Sequence, residues 1–291
     1  MGPFVIPTDL AKVPDHNRPE SDLVYPMRSK PRGITLIINN EVFEHSTEST
    51  EKEQKQEELD VRHGSDQDVA ALEKLFGALD FKVKTARNKK REEILNLLDE
   101  VAHYDHKDYD CFVLWLMSHG QEGQFYAADG ETIPIDTVRD FFSNAACSTL
   151  KGKPKIIFIQ ACRGREKEKG VVADAPQSPT EHGQEPSTHE DEESSDTGFN
   201  FKLNEAIPEH ADMLIANSTI SGYASFRNPR QGSRFVRCIV EVFREFACHE
   251  DLLSMLTMVN QRIGKMGEIS TKQVSEPAFT LTKKLFFWPG L

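Results

Sequence analysis

A histidine and a cysteine, each placed just after an apolar run, are the residues of this sequence most able to do chemistry together. His119 follows CFVLWLM at 111–117, and Cys162 follows KIIFI at 155–159. A thiol becomes a nucleophile when a nearby imidazole takes its proton or stabilises its thiolate, and a neighbouring glycine such as Gly120 lets a substrate approach the backbone. The pattern therefore predicts covalent acyl transfer by Cys162 with His119 as its partner.

Each residue taken alone has a simpler explanation. Free cysteine is among the most buried residue types and usually acts as a small hydrophobe. A histidine at the end of a strand is also more often a satisfied structural group. The occurrence of both residues at equivalent strand ends favours an active site over these two alternatives.

The apolar pattern also predicts the elements that must bring the pair together. ITLIIN at 34–39 and the two runs above are apolar throughout, as strands of a parallel sheet covered on both faces are. Helical spacing marks the segments between them, at Val69, Leu72, Phe76 and Leu79, at Ile94, Leu97, Leu98 and Val101, and at Val138, Phe141, Phe142 and Ala145. We therefore expect an α/β fold, a three-layer α/β/α sandwich with a mostly parallel central sheet, whose ligands bind beyond the carboxyl ends of the strands.

The alternation resumes after residue 208. MLIANSTI at 213–220 reads as a strand, 235–246 and 252–259 read as helices, and FTLTKKLFF at 279–287 reads as a terminal strand. An apolar strand left open at the edge of a sheet is an aggregation hazard, so we expect a partner to cover it.

Three segments interrupt this pattern. Residues 1–32 are rich in proline without a sustained period and predict an extended, mobile leader. Residues 45–60 are polar and predict a loop. Residues 171–204 are strongly acidic and contain Pro, Ser and Thr, a composition typical of disorder. A long structureless segment inside a compact domain is usually functional.

Composition excludes several classes of protein. A net charge of −12 argues against a nucleic-acid partner, and no apolar run approaches the roughly 20 residues that span a bilayer. The N-terminus lacks the features of a signal peptide, so a cytoplasmic protein is expected. The five cysteines form no CxxC pair, which predicts reduced thiols and no zinc site or disulfide framework. Neither a metal nor a cofactor is expected.

In the segments around His119 and Cys162 the chain resembles a known family, the caspases, which are cysteine proteases that cleave after aspartate. A Q-A-C-R-G run with a histidine roughly 50 residues upstream is an established signature of that family. The segments RGITLIINN, RHGSDQD, DYDCFVLWLMSHG, GKPKIIFIQACRG, SFRNPRQGS and TKKLFF occur in the family's order, so the resemblance covers residues 32–291. VYPMRSKPRG and AFTLTKKLFF are similar to death-receptor initiators, whereas the short leader and QACRG are similar to executioners.

The resemblance implies roles at the reacting centre. Cys162 matches the nucleophile and His119 the acid/base group, and the main-chain amides of Gly120 and Cys162 match the oxyanion hole. A main-chain carbonyl near Asp60 is expected to orient the imidazole. The implied activity is endopeptidase cleavage through a thioester, without a cofactor.

The resemblance also implies a substrate site. Arg62, Gln160 and Arg227 match the trio that holds the P1 carboxylate, and two guanidiniums with an amide satisfy most lone pairs of a desolvated carboxylate. The further substrate-binding positions are Ala224, Ser225, Phe226, Asn228 and Arg234. The family commonly has an aromatic residue at position 224 and tryptophan at 234. The departures at these two positions predict an altered P2 to P4 preference, with an acidic P4 residue favoured by Asn228 and Arg234.

By the same resemblance, 33–291 is one catalytic domain of a zymogen that acts in apoptosis. It comprises a large subunit at 33–170, a linker at 171–204 and a small subunit at 205–291. Candidate cleavage sites are Asp174 and Asp196 in the linker and, with bulkier residues following, Asp15 and Asp22 in the leader. The expected partners are protein substrates with P1 aspartate, a second large/small pair in a homodimer, and an upstream activating caspase.

Two alternatives remain at this stage. One is a catalytically weak caspase-like scaffold that regulates active relatives by dimerisation, although such proteins usually lose the cysteine, the histidine or the P1 arginines. The other is a related peptidase that cleaves after Arg or Lys, which would need acidic P1 ligands. Arg62 and Arg227 argue against this second alternative.

Overall fold

A β-sheet of six strands forms the centre of the protein, in a computed structural model that describes residues 3–44, 59–170 and 207–291. The strands of the described residues are, in chain order, β1 (Gly33–Asn39), β2 (Lys82–Arg87), β3 (Cys111–Met117), β4 (Gly120–Gln121), β5 (Gln124–Tyr126), β6 (Thr132–Pro134), β7 (Lys155–Gln160), β8 (Met213–Asn217), β9 (Arg227–Asn228), β10 (Gly232–Ser233) and β11 (Glu276–Phe279). The order in the central sheet is β11-β8-β7-β3-β1-β2. Every neighbouring pair is parallel except β11 with β8.

Helices cover both faces of this sheet. They are α1 (Ser65–Ala78), α2 (Arg91–Ala102), α3 (Ile135–Phe141), α4 (Arg234–Phe246) and α5 (Leu252–Lys265). On one face, α1, α4 and α5 pack around Trp115 and Phe158, whose rings stack with centroids 4.3 Å apart. On the other face, α2, α3 and the small sheet β4-β5-β6 enclose a second apolar cluster. The predicted three-layer α/β/α sandwich with a mostly parallel sheet is confirmed.

The apolar runs of the sequence correspond to the central strands. Every residue of β1, β3 and β7 is buried, because each strand has neighbours on both edges and helices on both faces. In the parallel register, Asn39 pairs with Met117 and Met117 with Gln160. The carboxyl ends of these three strands therefore lie level, at one edge of the sheet.

The structure differs from the sequence prediction at the two outer strands. β2 has the polar sequence KVKTAR and half-exposed side chains, so it carries no apolar signal. The terminal strand predicted over 279–287 is wrong beyond Phe279, since β11 is Glu276–Phe279. Leu285–Trp288 are buried in the apolar cluster of the α1, α4 and α5 layer, where they pack as core residues without pairing as a strand.

Residues 3–32 also differ from the predicted mobile leader. Val5, Val13, Val24, Tyr25 and Met27 are buried in the same apolar cluster as α1, α4 and α5. These buried residues are spaced irregularly along the segment, so the sequence shows no period. The loop predicted at 45–60 and the linker at 171–204, including Asp174 and Asp196, lie outside the described residues apart from 59–60.

Within the described ranges, no helix has the length and apolar character that crossing a bilayer requires.

Candidate active site

The sheet register brings His119 and Cys162 to the same edge. Met117 pairs with Gln160, and each of the two residues follows its strand by the same number of positions. The adjoining backbones are in contact, since a Cβ placed on Gly120 would lie 2.8 Å from the Cys162 carbonyl oxygen. Any side chain at position 120 would therefore separate the two strand ends, which explains the glycine there.

The His119 imidazole is oriented by a main-chain carbonyl. Its Nε2 lies 2.7 Å from the Asp60 carbonyl oxygen, and because a carbonyl only accepts, Nε2 carries the proton and donates. The Phe43 ring packs against the imidazole at 5.1 Å between centroids. Burial lowers the pKa of His119, the Asp60 carbonyl opposes this, and Arg62 and Arg227 lower it further. The neutral ring is thus favoured, with Nδ1 left as an acceptor for a proton.

The Cys162 thiol differs from the other cysteines in its surroundings. Its Sγ accepts a hydrogen bond of 3.4 Å from the Ser225 N–H, and the side chain is half-buried. Cys111, Cys147 and Cys238 are buried, and burial raises the pKa of each of these thiols. The charges of Arg62 and Arg227 also interact with Cys162. An N–H donor and two cationic side chains thus lie around this sulfur.

Arg62 supplies a buried cationic donor beside this thiol. Its side chain is 1% exposed, and Nη1 donates to Asn39 Oδ1 at 3.0 Å and to the Asn40 carbonyl at 2.8 Å. Nη2 has no hydrogen-bond partner among the described residues. Burial, together with the charge of Arg227, lowers the pKa of Arg62 to about 9. A buried cation with an unused donor is costly unless an anion joins it, so this arrangement suits a carboxylate ligand.

Arg227 and Gln160 complete the predicted trio. Arg227 Nε donates to the His63 carbonyl at 3.0 Å, next to Arg62 in sequence. Gln160 is 2% exposed and donates from Nε2 to Ser225 Oγ at 2.8 Å. A carboxamide has a second N–H, which leaves Gln160 able to donate to a ligand as well.

Asp68 belongs to this region but was missed by the sequence argument. It is 2% exposed, its Oδ1 accepts from the Ser233 N–H at 2.8 Å, and Oδ2 has no partner among the described residues. Burial raises the pKa of the Asp68 carboxyl to about 6, while the Ser233 hydrogen bonds and the charges of Arg62 and Arg227 oppose the rise. A Cβ on Gly232 would lie 2.2 Å from Oδ1, so glycine is required opposite this carboxylate. The available signal was an acid that lies in the first turn of α1, directly before the buried Val69.

The β9-β10 hairpin pairs with no further strand among the described residues. Arg227 and Ser233 form a pair in the antiparallel register, and the Arg234 N–H donates to the Phe226 carbonyl at 3.1 Å. Because Ser233 N–H goes to Asp68, the Arg227–Ser233 pair is the one without mutual hydrogen bonds. The main-chain groups of Arg227 therefore point away from β10.

The remaining predicted substrate residues lie along the same segment. Arg234 stacks its guanidinium over the Phe226 ring at 4.5 Å and donates to the Thr271 carbonyl at 2.5 Å. The Ala224 N–H donates to the Glu166 carbonyl at 2.9 Å. Asn228 Oδ1 instead accepts from the N–H groups of Arg230 and Gln231, a local turn interaction. The structure thus joins Arg234 with Phe226 and gives Asn228 contacts within its own turn.

The chain is similar in sequence to known proteins. A family model described as Caspase domain matches residues 32–286. Mouse (Mus musculus) caspase-8 is 36% identical over 284 residues, which cover 97% of this chain and 56% of that protein. Chicken (Gallus gallus) caspase-2 is 33% identical over 285 residues, 95% of this chain and 63% of the relative, and chicken caspase-7 is 34% identical over 271 residues, 90% and 79%. The chain spans little more than half of the length of mouse caspase-8. With the match covering most of its length, the chain belongs to the caspase family, as the resemblance in its sequence predicted.

Proposed function

We propose that the protein is a cysteine endopeptidase that cleaves protein substrates after aspartate and acts in apoptosis in the cytoplasm. The observation that carries the proposal is the unused Nη2 donor of buried Arg62, beside Arg227 and at the strand edge that holds Cys162 and His119. This chemistry calls for an anionic side chain next to the bond that the cysteine sulfur attacks. The membership of the caspase family supports the same conclusion.

In this mechanism Cys162 Sγ attacks the carbonyl carbon after the P1 residue while His119 Nδ1 takes the thiol proton. The tetrahedral oxyanion accepts hydrogen bonds from the main-chain amides of Gly120 and Cys162. The C–N bond then breaks as the imidazolium returns the proton to the leaving amine, and a thioester remains. Water, deprotonated by His119, attacks the thioester and releases the carboxylic acid and the Cys162 thiol.

The substrate backbone binds as an added strand. The main-chain groups of Arg227 lie on the open edge of the hairpin, which supplies hydrogen bonds to an extended peptide whatever its sequence. Alternate side chains of that peptide then reach the pockets formed by this segment. Backbone pairing gives affinity, and the arginine pocket gives specificity.

Specificity at P1 arises because a neutral P1 residue would leave arginine N–H donors of the pocket without an acceptor. Without a carboxylate, buried Arg62 keeps an N–H donor without an acceptor and lies beside the like charge of half-buried Arg227. Sites that lose a buried hydrogen-bond partner in this way discriminate by about 10⁴ to 10⁵. At P4, Arg234 favours an acidic residue by about 0 to 1 kcal/mol, as partly exposed ion pairs do. Asn228 accepts with Oδ1 in its own turn, and its Nδ2 is the atom that can donate to an acidic P4 side chain.

Processing and assembly are parts of the same proposal. Cleavage at Asp174 and Asp196 would give a large subunit with His119 and Cys162 and a small subunit with Arg227, either autocatalytically or by an upstream caspase. Two such pairs form a homodimer along β11, the outer strand of the sheet, where Phe279 is 53% exposed. The retention of Cys162, His119 and both arginines speaks against the alternative of a catalytically weak scaffold.

The test is cleavage of a tetrapeptide library by the purified protein and by Cys162→Ala. We expect cleavage after Asp, and a loss of at least about 10³-fold in turnover for the variant, because the nucleophile is removed. Cys248→Ala is the matched control, since Cys248 is also half-buried but bonds to His249 outside the site, and this variant should keep full activity. Residual turnover in Cys162→Ala, or equal cleavage after Asp and Asn, would contradict the proposal.

A further inference from the structure

A buried carboxamide lies behind the substrate segment, on the side away from the reacting groups. Gln273 is 1% exposed and belongs to the loop between α5 and β11. Its Oε1 accepts from the Phe226 N–H at 3.1 Å, and its Nε2 donates to the Ser218 carbonyl at 2.7 Å. The Ser225 hydroxyl lies 3.4 Å from the same Nε2. Both ends of this side chain are thus occupied by groups of other loops.

These contacts determine which way the substrate segment faces. The N–H of Phe226 goes to Gln273 and its carbonyl goes to the Arg234 N–H, so both main-chain groups point inward. In an extended segment the main-chain groups of successive residues point to opposite sides. The groups of Ser225 and Arg227 therefore face outward, and the Ser225 N–H does reach Cys162 Sγ.

A second contact ties this arrangement to the catalytic strand. The Ser225 hydroxyl is shared between Gln160 Nε2, at 2.8 Å, and Gln273 Nε2. Gln160 ends β7, two residues before Cys162. The network thus connects the end of β7, the loop after β8 and the segment between α5 and β11 through a single pair of carboxamides.

We infer that Gln273 is a positioning residue that holds Ser225–Arg227 in the orientation in which their main-chain groups pair with a peptide substrate. It acts from behind the segment, through the Phe226 N–H and the Ser218 carbonyl, without touching substrate. The inference rests on the proposed peptidase function and adds to it a residue that controls binding of the peptide backbone.

The first test compares Gln273→Met with Asn260→Leu. Gln273→Met keeps the volume but leaves the Phe226 N–H and the Ser218 carbonyl unpaired, so we expect KM for a tetrapeptide with P1 Asp to rise about 10- to 100-fold, with kcat within about 3-fold. Asn260 is the matched control, because its side-chain hydrogen bonds with described residues all go to Ser275, two residues after Gln273, and none goes to Ser225–Arg227. An equal rise in KM for the two variants, or an unchanged KM for folded Gln273→Met, would overturn the inference.

A second variant, Gln273→Glu, gives a readout that loss of packing would not move. A protonated carboxyl donates to the Ser218 carbonyl and accepts from the Phe226 N–H as the amide does, whereas a carboxylate cannot donate. Burial raises the pKa of such a carboxyl. The KM of the variant divided by the KM of the unmodified protein should therefore decrease as the pH is lowered from 8 to 5.5. The charged or titratable groups of the adjoining segments are Arg227, Arg234, Lys272, Glu168 and Cys162. Their own titration is common to both proteins, whereas their charges also shift the pKa of the introduced carboxyl and so set the pH at which the ratio changes.

These results distinguish failure of the role inferred for Gln273 from failure of the proposed peptidase function. A ratio that stays constant with pH would overturn the positioning role even if Gln273→Met failed to fold. Absence of Asp-specific hydrolysis by the unmodified protein would overturn the proposed function, and with it this inference. Normal hydrolysis by the unmodified protein with an unaffected KM in both Gln273 variants would overturn the role of Gln273 alone.

Discussion

Asp68 and Arg62 are ionisable side chains that the fold buries at the substrate site, 2% and 1% exposed. Moving a charged side chain out of water costs several kcal/mol, and attraction to an opposite charge seldom offsets the whole of that cost. The raised pKa of Asp68, about 6, and the lowered pKa of Arg62, about 9, both reflect that burial. Stability alone does not account for such groups, and the proposed recognition of a carboxylate would account for Arg62.

Asp68→Asn should remove a pH dependence of stability. Because the carboxyl pKa is raised from 3.8 to about 6, the folded state binds this proton more tightly than the unfolded state. The resulting stabilisation is fully present below about pH 4 and is lost as the pH rises through 6, a change on the order of 2 to 3 kcal/mol. Urea unfolding between pH 4 and 7 should show a flatter profile for the variant, whose Oδ1 still accepts from Ser233.

Asp66→Asn is the control for this measurement. Asp66 lies in the same first turn of α1 but is exposed. This variant should follow the pH profile of the unmodified protein. If both variants flatten the profile equally, or if neither does, the titration belongs to other groups and the assignment to Asp68 is wrong.

The sequence indicated that Cys162 and His119 follow neighbouring strand ends, but it did not indicate the residues that contact the surrounding loops. Cys162 and His119 stand at strand ends and inside recognisable motifs, so their proximity follows from a parallel sheet. Asp68 and Gln273 act on main-chain N–H and carbonyl groups of loops far away in the chain. No sequence pattern marks such contacts, because any acid or amide has the same appearance until the loops are placed. The catalytic and P1 roles themselves stay predictions until they are measured.

At the scale of elements, the prediction succeeded where burial is complete. β1, β3 and β7 are apolar at nearly every position because both of their faces are covered. β2 lies at the edge of the sheet and is polar, so nothing in its sequence distinguishes it from a loop. The segment at 285–288 is as apolar as a central strand but belongs to the helical layer. An apolar sequence indicates that a segment is buried. Hydrogen-bonded pairing with a neighbouring strand determines whether that buried segment is itself a strand.

The segment before β1 links two helices that lie far apart in the chain. The Phe4 ring lies between Lys74 of α1 and Arg244 of α4, each cation 4.3 Å from the ring centroid. The Ile6 N–H also donates to the Arg244 carbonyl, at 3.2 Å. Asp15 begins a short 3-10 helix, Asp15–Asn17, and Asp22 lies in a turn of this packed segment, so a protease acting there first has to open it locally.

Phe4→Ala should therefore destabilise the whole domain. Loss of two cation–π contacts and part of the buried ring should lower the free energy of unfolding by about 1 to 3 kcal/mol. Ile6→Ala is the matched control: its side chain is 50% exposed, so the change should stay within about 0.5 kcal/mol. Thermal and urea unfolding measure both. Equal and negligible effects would mean that the segment does not stabilise the catalytic fold.

At the scale of the whole molecule, the residues that lead into the linker are paired with the substrate segment. The Ala224 N–H donates to the Glu166 carbonyl, the Glu166 N–H to the Gly222 carbonyl at 3.2 Å, and the Gly170 N–H to the Ile269 carbonyl at 2.6 Å. The chain after Cys162 therefore runs beside the loops that carry Arg227 and Gln273. An uncut linker would restrain both ends of this arrangement, and cleavage would release it.

The predicted switch is tested by Asp174→Ala with Asp196→Ala. The double variant should remain a single chain of low activity on P1 Asp peptides, because the tether persists. Intact-mass analysis of the active unmodified protein should find termini at Asp174 or Asp196. Full activity of an uncut double variant, or its cleavage elsewhere in the linker, would contradict the switch.

The adjacency of β7 and β8 determines what such a cut can do. β7 precedes the linker and β8 follows it, yet the two strands are neighbours in the middle of the sheet. α1 from the first part and α4 from the second share one apolar cluster. A cut between the two parts of the chain would therefore change the connectivity inside one packed core, to which both parts contribute side chains. We therefore expect the shared core to persist after the predicted cut, so that the cut changes the connectivity of the chain more than its packing.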